Sequence, residues 1–509
     1  MRKLPAFCLL LSLTFSIQAQ QFDVSTTPET KLPGLYSMVP YGDAFLGFDV
    51  AWGKMQLAYT FKLAKLKFGI RMVKYDRAMN LVKENKLVGG EKTFGPFQPF
   101  VQKLNGRLYL VYCEMTPGAE EGNLLVKAAQ VDTASLELLQ PKLLFTLDQK
   151  NLGLFKSMDA VDAVRLSLQQ SPDRSKIVAI WSSGLDNDMY LSLLDENLNP
   201  LWTKKQTVKS ADQITINTTC VDNQGDVLMT YRTRPNRDEF QSHVWIFRQG
   251  KPAIDKEVKL PEGHPHELHL VASASEPVVN IVGTYVGETD MINGAYIVPL
   301  NTTDGKLGKP VQTAIPDALI ELFHKDGWAS TKKKHYGLNM VGVEAHALED
   351  GSIDMTGMFR SSNNLGRVIQ QTAGDILLIH LNKGKAVFGR IPKYRVSAES
   401  MIGDAYFAFP WKNKTVIFYD DKESNLKQSI EQGPQSSNVY KSLVLVAATM
   451  SEDGTIKREK ILDLQDDHYL AVTDAIRILS SSSLLAPLWK IKGMGGISDY
   501  FRWGRIEIK

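Results

Sequence analysis

The chain is expected to fold as an all-β propeller of seven or eight four-stranded blades, with one short helix inserted near 316–324. Three observations predict it. Short apolar runs rich in β-branched and aromatic residues recur along almost the whole length, separated by Gly, Asn, Asp and Ser turns. One composite phrase (strand, polar turn, strand) returns at intervals close to the length of a four-stranded sheet. Strand material is also left over at both ends of the chain, as a ring closed by its own termini requires.

The N-terminus reads as an export signal over residues 1–19. Arg2 and Lys3 precede the apolar stretch 7–17, which is too short to span a bilayer, and Ala19 offers a small residue for cleavage. Cys8 lies inside the apolar stretch behind bulky Phe7, which argues against lipidation there. Residues 20–509 then form a single propeller domain, whose last blade is closed by the N-terminal segment. No later apolar run approaches the roughly 18 residues of a membrane helix. Of the 59 Lys and Arg, removal of the signal takes Arg2 and Lys3, leaving 57 against 56 Asp and Glu. A net charge near +1 offers no field for nucleic acid or an anionic membrane. Cys113 and Cys220 are the cysteines that remain, either as one disulfide or as two buried thiols on strands.

Two phrases carry the repeat. The first is a polar turn leading into an apolar strand, as in 104–112, 171–181, 221–231, 348–359 and 411–419. The second joins two strands through turns that start at Asp76, Asp132, Asp195, Gln249, Asn301, Asn382 and Ser451. The intervals between these starts are 56, 63, 54, 52, 81 and 69 residues. Sheets of this size bury both faces by stacking on neighbours around a ring. Separate β-sandwich domains are the structural rival, while a β-helix would repeat over a far shorter period. The long interval of 81 contains 315–328, where Pro316 opens and Gly327 ends an apolar stretch of helical type. This helix is expected to pack on one face of the disc. Lys332 to Lys334 form its solvated exit or, less simply, a patch for a partner. After the seventh phrase, 474–493 and 499–509 supply strands but no complete unit, and residues 22–50 hold the missing material. Eight blades follow, with seven as the alternative.

The order of the helix at 316–324, "LEDGSIDMTGMFR", "GDILLIHLNKGKAVFGRIPK", "SLVLVAATMSEDGTIKREKIL" and the terminal "YFRWGRIEIK" resembles a group of mostly uncharacterised exported proteins of Bacteroidetes-type bacteria. The resemblance covers roughly 310–509 and implies an exported, propeller-like protein; it supplies no activity or catalytic residue. Met358 stands where a Glu often follows the group's counterpart of "DMTG".

The sequence motifs assign no catalytic, cofactor-binding or metal residue. Asp195, Asn197 and Asn199 open like a calcium loop, but an EF-type loop needs Gly at its sixth position and Glu at its twelfth, where this chain has Pro200 and Gln206. The three side chains are therefore read as turn chemistry. His264, His266 and His269 cluster beside Glu262 and Glu267. On one continuous strand the first two would share a face and His269 would oppose them. Two imidazoles could hold zinc, but the stretch is read as a polar loop before a strand. Nucleophile elbows, Walker loops, G-x-G-x-x-G and C-x-x-C motifs are missing from the sequence. Residues 171–181 resemble a sialidase Asp-box turn, yet Ser175 replaces its glycine. "GMGGIS" at 493–498 reads as a wide turn. Residues 59–76 read as two strands rather than a membrane-surface helix, and 232–240 as an exposed loop carrying Arg232, Arg234 and Arg237. The sequons at Asn217 and Asn301 carry no weight in an exported bacterial protein.

The functional expectation is a periplasmic or extracellular binding or scaffold protein of the cell envelope, without cofactor, whose partners are envelope proteins or glycans. A propeller hydrolase or lyase acting on polysaccharide is the alternative; it predicts a pocket with converging carboxylates.

Overall fold

The computed structural model describes residues 21–509 apart from 28, 32–36, 42–43, 53–67, 77–79, 89–99, 116–122, 149–163, 184–187, 208–214, 237–238, 288–290, 333–334, 340, 365–368, 383, 394, 399–405, 430, 435–442, 465–468, 474–475 and 493–495. The signal segment, 59–67 of the stretch 59–76, Lys333, Lys334 and the first three residues of "GMGGIS" fall outside the described residues.

The two recurrent phrases become two kinds of hairpin. Within a blade the first phrase joins the first and second strands, as between Val164–Gln170 and Lys176–Ser183. The second joins the third and fourth, as between Asp188–Asp195 and Pro200–Thr207. All seven predicted turns occupy this second position, one in each of the first seven blades. Because successive strands are antiparallel, both kinds of turn leave the same end of every sheet.

The described strands form eight antiparallel sheets, so the closed ring is an eight-bladed β-propeller. In chain order the blades span 37–88, 100–148, 164–207, 215–257, 264–338, 343–398, 406–463 and 469–508. Each sheet buries both faces, and eight apolar clusters fill the eight gaps between neighbours. The cluster that closes the ring joins Phe45, Val73 and Tyr75 of the first blade to Leu485, Phe501 and Trp503 of the last. The last blade takes its outer strand from the N-terminal segment, as expected. Phe22–Thr26 pairs antiparallel with Gly496–Ile508, from Phe22 opposite Ile508 to Thr26 opposite Gly504. Met358 is buried in the gap between the sixth and seventh blades, so this position serves packing here.

Neighbouring blades are also stitched at the rim. Lys142 Nζ donates to Asn197 O and to Asn199 Oδ1, both at 2.6 Å, and Arg107 Nη1 donates to Asn197 Oδ1 at 3.0 Å. The calcium-like turn is thus a clasp between the second and third blades. The Asp195 carboxylate accepts from Asn197 N–H, Asn199 N–H and Asn199 Nδ2. Leu198 adopts φ +61°, a strained region for a leucine, because its side chain is fully buried among Leu194, Ile177 and Trp181. The first two blades repeat the device, with Leu136 at φ +58° and fully buried.

The helix runs Asp317–Lys325, one residue later than predicted, and buries Ile320 and Phe323 against the fifth and sixth blades. Trp328 after it lies flat against Gly374, where any Cβ would meet the indole at 2.2 Å. Arg390 pairs with Asp375 at 2.6 Å and with Asp326, tying the helix end to the sixth blade. One sequence expectation needs correction: Arg232 lies not in a loop but on the strand Val227–Asn236. The histidine stretch is irregular between the two-residue strand His264–Pro265 and the strand His269–Ala272, in keeping with its reading as a polar loop before a strand. The cysteine alternatives resolve to a free thiol at Cys220.

Asp195→Ala is expected to cost about 1–2 kcal/mol through its lost turn bonds, and Leu198→Ala about 2–4 kcal/mol through the cavity it leaves. Calcium should leave the melting temperature of the intact protein unchanged; thermal melts with and without the ion check all three. Ile506→Ala, in the gap between the seventh and eighth blades, should cost about 2–4 kcal/mol. A chain lacking residues 22–27 should lose more, measured by urea unfolding.

Candidate functional site

The first strands of the third, fourth, fifth and sixth blades approach one another in succession. Crowding of such strand edges forces side chains to satisfy neighbouring backbone. Gln102 Nε2 of the second blade donates to Leu168 O of the third at 2.8 Å. Thr218 Oγ1 of the fourth donates to Leu268 O of the fifth at 3.0 Å.

The strand Thr215–Val221 departs from regular pairing in its middle. Its register against Val227–Asn236 shifts between Ile216 and Thr219. Thr218 N–H bonds the side chain of buried Thr230 at 3.1 Å instead of a ladder carbonyl. Such a bulge re-aims the side chains beside it and is common next to functional sites. Here it borders a cavity of about 300 Å³ lined by the first strands of the third, fourth, fifth and sixth blades. Ser167 and Gln169, two apart on Val164–Gln170, face it together, as do Asn217 and Thr219 across the bulge. Ile216 and Leu270 supply apolar wall.

His269 enters the same cavity at the start of the strand His269–Ala272. Its Nε2 lies 3.1 Å from Glu267 Oε2, and Val343 N–H of the sixth blade donates to that oxygen at 3.0 Å. A carboxylate only accepts, so Nε2 carries the hydrogen and Nδ1 is an acceptor in the neutral ring. The Glu267 peptide is itself fixed. Tyr296 Oη donates to Glu267 O at 2.6 Å, and Gly283 leaves the room this carbonyl needs, since a Cβ there would fall 1.9 Å from the oxygen. Burial alone would raise the Glu267 carboxyl, but the bonds from His269 and Val343 outweigh it and hold the group below its usual range.

The other members of the histidine cluster do not join the cavity lining. His264 is exposed. His266 donates its backbone N–H to Thr284 O, and burial, aided by Arg232, pushes its imidazole down to about 4 against the pull of Glu267. Arg232 donates through Nη2 to Pro265 O and stacks over Phe240 at 5.8 Å. Burial also lowers His346. Among the described residues no group of three His, Cys, Asp or Glu side chains is placed to hold a metal, and the zinc alternative gains no third ligand. The sequence named His269 but not its companions. Asn217 appeared only as a sequon, and Ser167, Gln169 and Thr219 sit in ordinary strand patterns.

No family model and no curated protein matches this chain. Among solved structures it is similar to the WD40 domain of SCAP from fission yeast, at 8% identity, with 96% of this chain and 98% of that one covered and a TM-score of 0.38. It is similar to the β-propeller domain of the Trilobed protease from Pyrococcus furiosus, at 11% identity, 85% and 96% coverage and a TM-score of 0.36. It is also similar to the polysaccharide lyase Uly1, at 9% identity, 94% and 91% coverage and a TM-score of 0.39. The ring of antiparallel sheets makes the class of the protein a β-propeller, and its particular role rests on the site.

A buried neutral imidazole protonates more readily in the unfolded chain. His266 should therefore draw stability away as pH falls from about 6.5 towards about 4, with full stability above that window. His266→Gln should flatten this part of the profile of melting temperature against pH.

Proposed function

We propose that this is an exported binding protein of the cell envelope whose ligand seats in the axial cavity. The carrying observation is the bulged strand of the fourth blade. It places Asn217 and Thr219 beside Ser167 and Gln169, and none of these four side chains has a hydrogen-bond partner among the described residues. Uncommitted donors and acceptors gathered on one cavity are a binding feature. Export is supported by residues 1–19 alone. The described cavity lining contains no carboxylate, whereas glycoside hydrolysis ordinarily uses two facing ones.

One observation favours a second reading, polysaccharide cleavage. His269, held by a carboxylate and facing a cavity, is arranged as a general base is. Saturation-transfer NMR with envelope glycans, run beside assays for new reducing ends and for unsaturated uronate absorbance, separates the two. Binding without product is expected, weakened about tenfold (about 1.4 kcal/mol) by Asn217→Ala and unchanged by Lys457→Ala on the distant outer strand Ile456–Asp463. Steady product formation that His269→Gln abolishes would replace binding by catalysis.

A further inference from the structure

We infer that the axial cavity recognises a single neutral sugar residue carrying an acetamido group; this rests on the binding reading above. The size comes first. At about 300 Å³ the cavity is at the small end of ligand sites, enough for one sugar ring and not for a buried chain.

The donor set comes second. Gln169 and Asn217 each present a carboxamide, which offers an N–H donor and a C=O acceptor together. A secondary amide on a ligand needs that combination, one acceptor for its N–H and one donor for its carbonyl. Ser167 and Thr219 add hydroxyls of either sense, suited to ring hydroxyl groups. Ile216 and Leu270 add an aliphatic surface on which an acetyl methyl can lie.

Charge comes third. No Lys or Arg lines the described cavity, and the charged group behind His269 is the Glu267 carboxylate. Arg232, the nearby cation, is turned to Pro265 O and Phe240. A uronate or phosphate would meet no counter-charge here and would face a negative one. His269, with Nε2 committed to Glu267, leaves Nδ1 as its remaining hydrogen-bonding atom, suited to a hydroxyl-bearing ligand.

Calorimetric or NMR titration of the intact protein with N-acetylglucosamine, glucose and glucuronate tests this. N-acetylglucosamine is expected to bind at least about tenfold more tightly than glucose, with glucuronate weakest. Asn217→Ala and Gln169→Ala should each remove most of the preference for the acetamido sugar while leaving the melting temperature near that of the parent. Asn217→Gln, which keeps the carboxamide, should retain part of it and guards against a folding effect. Equal binding of glucose and N-acetylglucosamine, or a preference for glucuronate, overturns the acetamido inference and leaves the binding reading standing. Binding of N-acetylglucosamine that is indifferent to both substitutions places the sugar elsewhere and also overturns it. If no glycan of the wider envelope panel binds either, the binding reading falls with it.

Discussion

A four-stranded antiparallel sheet with apolar residues on both faces is not stable in water until each face meets another sheet, and in a row of such sheets the first and last always leave one face bare. This chain removes the bare faces by bending the row into a ring, so that Phe45, Val73 and Tyr75 meet Phe501 and Trp503. The five-residue pairing of Phe22–Thr26 with the last strand holds the ring shut. That pairing crosses nearly the full length of the chain, so every blade gap depends on it.

Closure also dictates what happens at the centre. The first strands of neighbouring blades converge, and their inward edges have no further strand of the blade to pair with. Their backbone groups are met by side chains reaching from the next blade, as Gln102, Thr218 and Glu267 do. Where Thr230 and Leu268 O together capture Thr218, the strand bulges and Asn217 is released towards the cavity. The rim follows the opposite pattern. There Lys142, Arg107 and Asp195 all bond to Asn197 and Asn199 of one turn, so these groups serve the clasp between blades.

The repeat, the seven outer hairpins, the helix and the closing strand were legible in the sequence because each has a local cause. Asx and Gly residues set turns, alternation sets strands, and Pro316 with Gly327 brackets a helix. Eight rather than seven blades followed from the spare strands at the two ends. The candidate site was barely legible, since its causes are tertiary. In the sequence, residues 215–221 showed only the sequon at Asn217, and the bulge there depends on Thr230 and on a carbonyl from the next blade. The Glu267–His269 pair was visible as neighbours in sequence, but the bond that fixes it comes from Val343, 76 residues away. Arg232 was misread because "RTRPN" carries a Pro and an Asn, which are turn residues, although the strand continues to Asn236.

The central claim is that the closed ring serves to hold an uncommitted polar site on its axis. A crystal structure of the protein grown with N-acetylglucosamine tests it most directly. The account predicts the sugar between Gln169, Asn217 and His269, with the bulge at Asn217–Thr218 retained. A sugar bound only at the rim or between outer strands, or an axis in which these side chains bond one another, would contradict it.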